Sequence, residues 1–183
     1  VEVVCALLEG GAEVDKPGRH GCTPLYHACE RGHVDVVRVL LERGAEVNKT
    51  TNNGCMALKP ATWFDHVDVV KLLLDHGAVV DVLHDDTTAL YDASVAGHVD
   101  IVKVLLDRGA DIDHVNELSC TILMGASSWG RVDVVKLLLE RGADASKVDG
   151  DGKTAADRLE NRRSQHADEI RRLLGNARGI RLR

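Results

Sequence analysis

The sequence predicts an all-α fold, a stack of helix-turn-helix units joined by β-hairpin loops. A Gly-Ala pair recurs at Gly11-Ala12, Gly44-Ala45, Gly77-Ala78, Gly109-Ala110 and Gly142-Ala143, in steps of 33, 33, 32 and 33 residues. A second marker moves in step with it: Val1-Glu2-Val3-Val4, then VDVV from Val34, Val67 and Val132, and VDIV from Val99. Two independent markers with one period in the range of about 20–50 residues signal stacked repeats, each touching only its neighbours. Composition agrees. The chain is 44% hydrophobic but only 3% aromatic, which suits thin, regular layers filled by Leu, Val and Ala.

The best-formed copy is His20 to Asn48, HGCTPLYHACERGHVDVVRVLLERGAEVN. Thr23 offers a hydroxyl to cap a helix, and Pro24 suits the first helical position because it has no N–H to satisfy. The first helix is expected over Pro24 to Arg31, ended by Gly32, which accepts a left-handed backbone. The second is expected from Val34 to Arg43 and stops at Gly44. Its polar positions, Asp35, Arg38 and Glu42, form one narrow stripe, so the other sides should be buried. The stripe returns as Asp68, Lys71, Asp75, as Asp100, Lys103, Asp107, and as Asp133, Lys136, Glu140. Its acid–base–acid spacing suits exposed pairs worth about 0.2–0.5 kcal/mol each, so it reads as a solvated face rather than a carboxylate active site. On the first partial repeat Cys5 takes the basic position and is expected to be exposed.

The copy resembles the ankyrin-repeat family. The match is to Gly-x-Thr-Pro-Leu-His-x-Ala, then Gly-His, Val-x-x-Leu-Leu and Gly-Ala, and it extends over nearly all of Val1 to Leu174. The resemblance implies a curved ankyrin stack that binds partners on a concave face of hairpin tips and first helices. Residues 1–17 then form a partial repeat, second helix only, expected to belong to a truncated or fragmentary gene product. Residues 18–148 form four whole repeats, residues 149–175 a polar C-terminal cap ended by Gly175, and residues 176–183 a disordered basic tail.

The whole repeats differ from one another. In the second, Met56-Ala57 replaces Thr-Pro and removes the cap. Pro60 falls inside the first helix, where it is expected to cause a kink or a 3₁₀ stretch, and Asp65 stands in place of the helix-ending Gly. The third repeat is one residue short between Asp81 and Thr88, and keeps Thr88 as its cap. The fourth has Thr121 as cap and Gly125 inside its first helix, a change that costs about 1 kcal/mol relative to Ala.

Several function classes are disfavoured. The net charge of −6 is divided between −11 in residues 1–157 and +5 from Arg158 onward. An acidic body repels phosphate backbones, so nucleic acid is not an expected partner. Every apolar run is broken well before 18 residues, so no membrane span is expected. Five cysteines, none in Cys-x-x-Cys, suit free thiols in the cytoplasm or nucleus. Gly152-Lys153-Thr154 fails as a phosphate loop because Lys147 stands where the first Gly is needed. It fails as a calcium loop because Lys147 and Arg158 occupy acidic positions. Cys22, His27 and Cys29 lack zinc-ligand spacing. His33, His66 and His98 fill the family's Gly-His position, where the resemblance gives them a structural role. No catalytic set assembles, so neither enzyme activity nor a cofactor or metal is expected. The resemblance also makes Asn48 a candidate for hydroxylation.

The expected function is non-catalytic recognition of a protein or peptide by a monomer. Alternatives are a substrate-receptor fragment of a larger regulator, such as a ubiquitin-ligase adaptor, or an ankyrin domain attached to an enzyme. All five aromatic residues fall on first helices. Tyr26 and Tyr91 take the family's His position. Trp63, Phe64 and Trp129 fall in the two positions before the helix-ending residue, which the resemblance places on the binding face. Glu30, Arg31 and Val95 are their counterparts in other repeats, together with Asn161-Arg162. Arg19, His20, Asn52, Asn53, Glu117 and Leu118 are the hairpin-tip residues expected to form the rim.

Overall fold

The computed structural model describes residues 1–159 and 165–180. Ten α-helices occur among the described residues: α1 (Glu2–Glu9), α2 (Pro24–Glu30), α3 (Val34–Glu42), α4 (Leu58–Trp63), α5 (Val67–Asp75), α6 (Ala89–Ala96), α7 (Val99–Asp107), α8 (Ile122–Ser128), α9 (Val132–Glu140) and α10 (Gln165–Ile180). Short 3₁₀ turns lie at Arg19–Gly21 and Asp157–Leu159. The chain forms two compact units, Val1–His84 and Asp85–Arg183.

The hairpin connections take the form of tight turns. No strand occurs among the described residues, where the bridges are isolated: one joins Val115 to Thr121, and His84 and Thr87 also take part in bridges. Each tip instead closes on itself. Gly18, Thr51, Asn116 and Asp149 donate their N–H groups to the carbonyls of Cys22, Cys55, Cys120 and Lys153 at 2.8–3.2 Å. Side chains then take the inner N–H groups. Thr51 Oγ1 accepts from Cys55, and Asn116 Oδ1 accepts from Leu118 and Cys120. Several donors that a β-ladder would use are thus consumed locally.

In Val1–His84, α2 packs on α3 and α4 on α5, while α1 lies against α3. Thr23 Oγ1 accepts the N–H of Tyr26 at 3.1 Å, as the cap requires. The core holds Leu25, Val37, Leu40, Leu58, Val69, Val70 and Leu73. No α1 residue is buried, and Cys5 is half-buried rather than exposed. The stripe residues Asp35, Arg38, Glu42, Asp68, Lys71 and Asp75 are all exposed.

The expected kink at Pro60 is absent. Pro60 is the third residue of α4, in the first turn, where N–H groups have no intrahelical partner to lose. Asp65 completes the turn in Gly's place with φ 61°, a left-handed conformation that Asp tolerates better than most residues. The missing cap is real, since α4 has no side-chain cap. Met56→Thr is expected to stabilise the protein by about 1 kcal/mol, read as a higher urea midpoint with an unchanged slope.

In Asp85–Arg183, α6 packs on α7 and α8, and α9 lies against α7, α8 and α10. Thr88 and Thr121 cap their helices, accepting the N–H groups of Tyr91 and Met124 at 3.2 Å. The shortened connection is absorbed by Asp85 and Asp86, at φ 51° and 60°. Gly125 leaves no space to fill. A Cβ there would lie 2.9 Å from Tyr91 and 3.1 Å from Val95. Ser94 and Ser127, at equivalent repeat positions, are fully buried, and their hydroxyls find no hydrogen-bond partner among the described residues. Ser127→Ala is therefore expected to raise stability by about 1–2 kcal/mol, measured by thermal and urea unfolding.

The C-terminal region buries Leu159, Ala167, Ile170 and Leu174. Gly175 does not end it. Helix α10 continues to Ile180, so residues 176–180 of the expected disordered tail are helical. A helical Gly costs only about 1 kcal/mol, and Leu173, Leu174 and Ala177 continue the helical pattern on either side.

Candidate functional site

The aromatic side chains stand outward. Trp63 and Phe64, at the C-terminal end of α4, are 53% and 52% exposed, and Trp129, just after α8, is 63% exposed. They do not serve as packing for Pro60 or Gly125, because Pro60 is itself buried and Tyr91 with Val95 occupies the surface of Gly125. The Phe64 ring lies 6.3 Å from the His66 ring, tilted by 32°.

In the first unit, Glu30 and Arg31 end α2 beside the end of α4. The Glu30 carboxylate lies 3.4 Å from His27 Nδ1, and Arg31 is exposed. At the other end of these helices, Arg19, His20, Asn52 and Asn53 are all exposed. The two tips are joined by the Asn52 N–H donating to the His20 carbonyl at 2.9 Å. In the second unit Val95 is half-buried against Gly125, while Glu117 and Leu118 are exposed at their tip. The Glu117 N–H donates to both carboxylate oxygens of Asp86 at 3.0 Å. The Leu118 carbonyl accepts the Gly150 N–H at 3.1 Å. Asn161 and Arg162 lie outside the described residues.

The structural role of the Gly-His position becomes specific. His66 Nε2 lies 3.2 Å from the Glu30 carbonyl, and its ring packs over Gly32. Arg131 holds the same place, its Nε donating to the Val95 carbonyl at 2.8 Å. Both side chains satisfy a carbonyl at the end of the preceding first helix, where four acceptors are otherwise unpaired. The sequence signal was a basic side chain in either guise at one repeat position. A second staple lies at Asn48. Its amide donates to the Gly77 carbonyl and accepts the Val79 N–H, both at 3.0 Å.

Nucleophilic chemistry is not favoured at the buried thiols. Burial pushes the Cys29 thiol up to about 12 and raises Cys120, against the opposing Arg158 guanidinium. A thiol held protonated is a poor nucleophile. Burial likewise raises the phenols of Tyr26 and Tyr91. Among the described residues no group of three or more His, Cys, Asp or Glu is arranged to hold a metal ion.

A family model described as ankyrin repeats (3 copies) matches residues 1–84 and 78–149. The chain belongs to the ankyrin-repeat family. No curated protein matches it. Ankyrin repeats serve generally as protein–protein interaction modules and are typically non-enzymatic. Among the described residues of this ankyrin-repeat protein, no helix is long and apolar enough to cross a membrane.

Proposed function

We propose that this ankyrin-repeat protein is a monomeric, non-catalytic recognition module. It binds a protein or peptide partner through hairpin tips and first helices, the surface that ankyrin stacks present as their concave face. The exposure of Trp63, Phe64 and Trp129 carries the reading. A chain with only five aromatic residues places three of them largely in solvent, although large aromatics supply much of the energy at interface hot spots and exposed apolar patches mark interaction sites. In Val1–His84 the proposed polar surround is Glu30, Arg31, Arg19, His20, Asn52 and Asn53, and in Asp85–Arg183 the proposed polar and apolar surround is Val95, Glu117 and Leu118. The acidic body disfavours nucleic acid, and the free thiols suit a cytoplasmic or nuclear setting.

Trp63→Ala and Trp129→Ala are each expected to weaken partner binding by about 2 kcal/mol or more with little change in melting temperature. Partners captured by the intact protein and identified by mass spectrometry would be titrated calorimetrically against each variant. Normal binding by both variants, or unfolding of both, would make the aromatics packing residues and remove this site.

A further inference from the structure

The two units differ in the charge of their candidate binding faces. Val1–His84 contains eight Lys and Arg against twelve Asp and Glu. Segments 18–33 and 51–66, which hold the tips and first helices, carry three of those cations and only two of the acids. The remainder carries five cations and ten acids. An acidic unit therefore turns a weakly basic face toward a partner.

Two of the three cations on that face are available to a partner. Lys59 Nζ donates to the His84 carbonyl at 2.8 Å. Arg19 and Arg31 are exposed and have no ion pair or hydrogen-bond partner among the described residues. Off the face, four of the five cations, Lys16, Arg43, Lys49 and Lys71, each have a carboxylate at 3.0–3.8 Å, and Arg38 has none among the described residues. Glu30 lies against His27 rather than neutralising Arg31. One available guanidinium thus lies at the tip and the other at the helix end, with α2 between them, roughly 10 Å long at about 1.5 Å per residue. Phe64 lies against His66, whose ring packs over Gly32 next to the second, and the Asn52 N–H donates to the carbonyl of His20 next to the first. In the two whole repeats of Asp85–Arg183 the corresponding places hold Glu117, Leu118, Val95 and Trp129, none cationic, while Arg162 follows in the C-terminal region.

We infer that the tip and first-helix face of Val1–His84 docks an acidic peptide segment. Its carboxylates pair with Arg19 and Arg31, and an apolar side chain between them seats against Trp63 and Phe64. Guanidinium groups bind carboxylates with two parallel hydrogen bonds, and complementary charge sets specificity and association rate. A phosphate polymer fits less well, because the surrounding acidic surface would face a long run of its charges. The inference rests on the recognition role proposed above and adds the class of partner.

The test uses the full chain and two fluorescein-labelled peptides, one with glutamates flanking a Leu-Phe pair and one with lysines in their place, followed by fluorescence anisotropy. Only the acidic peptide is expected to bind. Its affinity should fall at least about tenfold between about 0.1 M and about 1 M salt, as the Debye length shrinks from about 10 Å to about 3 Å. Arg19→Glu with Arg31→Glu should abolish binding without changing the melting temperature, and Trp63→Ala should weaken it. Equal binding of both peptides, binding by neither, indifference to the charge reversal, or displacement by a single-stranded oligonucleotide overturns the inference. The two readings fail separately. Charge-blind binding that Trp63→Ala abolishes leaves the aromatic site standing and removes the acidic partner. Charge-selective binding that survives Trp63→Ala overturns the aromatic seat on which the proposal rests.

Discussion

Gly32→Ala is expected to destabilise the protein by about 2–3 kcal/mol. Two independent effects add. Gly32 has φ 68°, and a side chain in the left-handed region costs about 1–2 kcal/mol. A Cβ there would also lie 2.6 Å from Cε1 and Nδ1 of His66, closer than non-bonded atoms approach, so the ring must move. Its hydrogen bond to the Glu30 carbonyl, 3.2 Å long, is then lost or bent, at about 0.5–1.5 kcal/mol. Gly44 separates the two effects. It has φ 86°, yet nothing lies within 4 Å of a Cβ built on it. Gly44→Ala should therefore show only the backbone cost, about 1–2 kcal/mol. Urea unfolding of both variants and of His66→Ala measures the difference. Equal losses at Gly32 and Gly44 would show that the His66 staple contributes nothing to stability.

The same comparison shows what the sequence makes legible. Caps at Thr23, Thr88 and Thr121 could be read directly, because capping depends on one residue type at one offset. The stripe from Asp35 to Glu42 and its copies could be read because helical periodicity alone decides exposure. Pro60 and Gly125 were misread for a shared reason. Their effect depends on where the helix begins and on what a neighbouring helix presents, and neither is local. Pro60 is harmless because α4 starts at Leu58. Gly125 is required because Tyr91, a repeat earlier, leans onto it. How the hairpins close is not legible in the sequence, because the family pattern does not show side chains such as Asn116 taking the inner donors. For the binding surface, the outward exposure of Trp63 and Trp129 had to come from coordinates, since an aromatic at a variable position can turn either way.

Arg158→Met is expected to lower the melting temperature by about 5–10 °C near pH 7, as removing one member of a desolvated charge pair in a domain of this size should do. Methionine keeps much of the apolar stem and removes the charge. The Asp149 side chain is 1% exposed and Arg158 lies 2.5 Å from it. Arg158 also donates to Cys120 Sγ at 2.9 Å. It thereby ties the C-terminal region to the base of the fourth repeat. Asp149 Oδ1 meanwhile accepts the N–H groups of Asp151 and Lys153, each at 2.9 Å. The Lys153 N–H, then Arg158 and the Asp151 N–H, hold the Asp149 carboxyl below its usual value against the opposing effect of burial. A carboxylate whose folded value is depressed stabilises the fold above its unfolded value, about 3.9, and that contribution is lost as pH falls through the folded value. Protonation removes the ion pair from the unsubstituted protein, and the variant already lacks it, so the gap between them should be widest above about pH 5 and close as pH falls below about 4. Thermal unfolding across that range measures the gap. A gap that stays constant would place the contribution of Arg158 in its contact with Cys120 rather than in its charge.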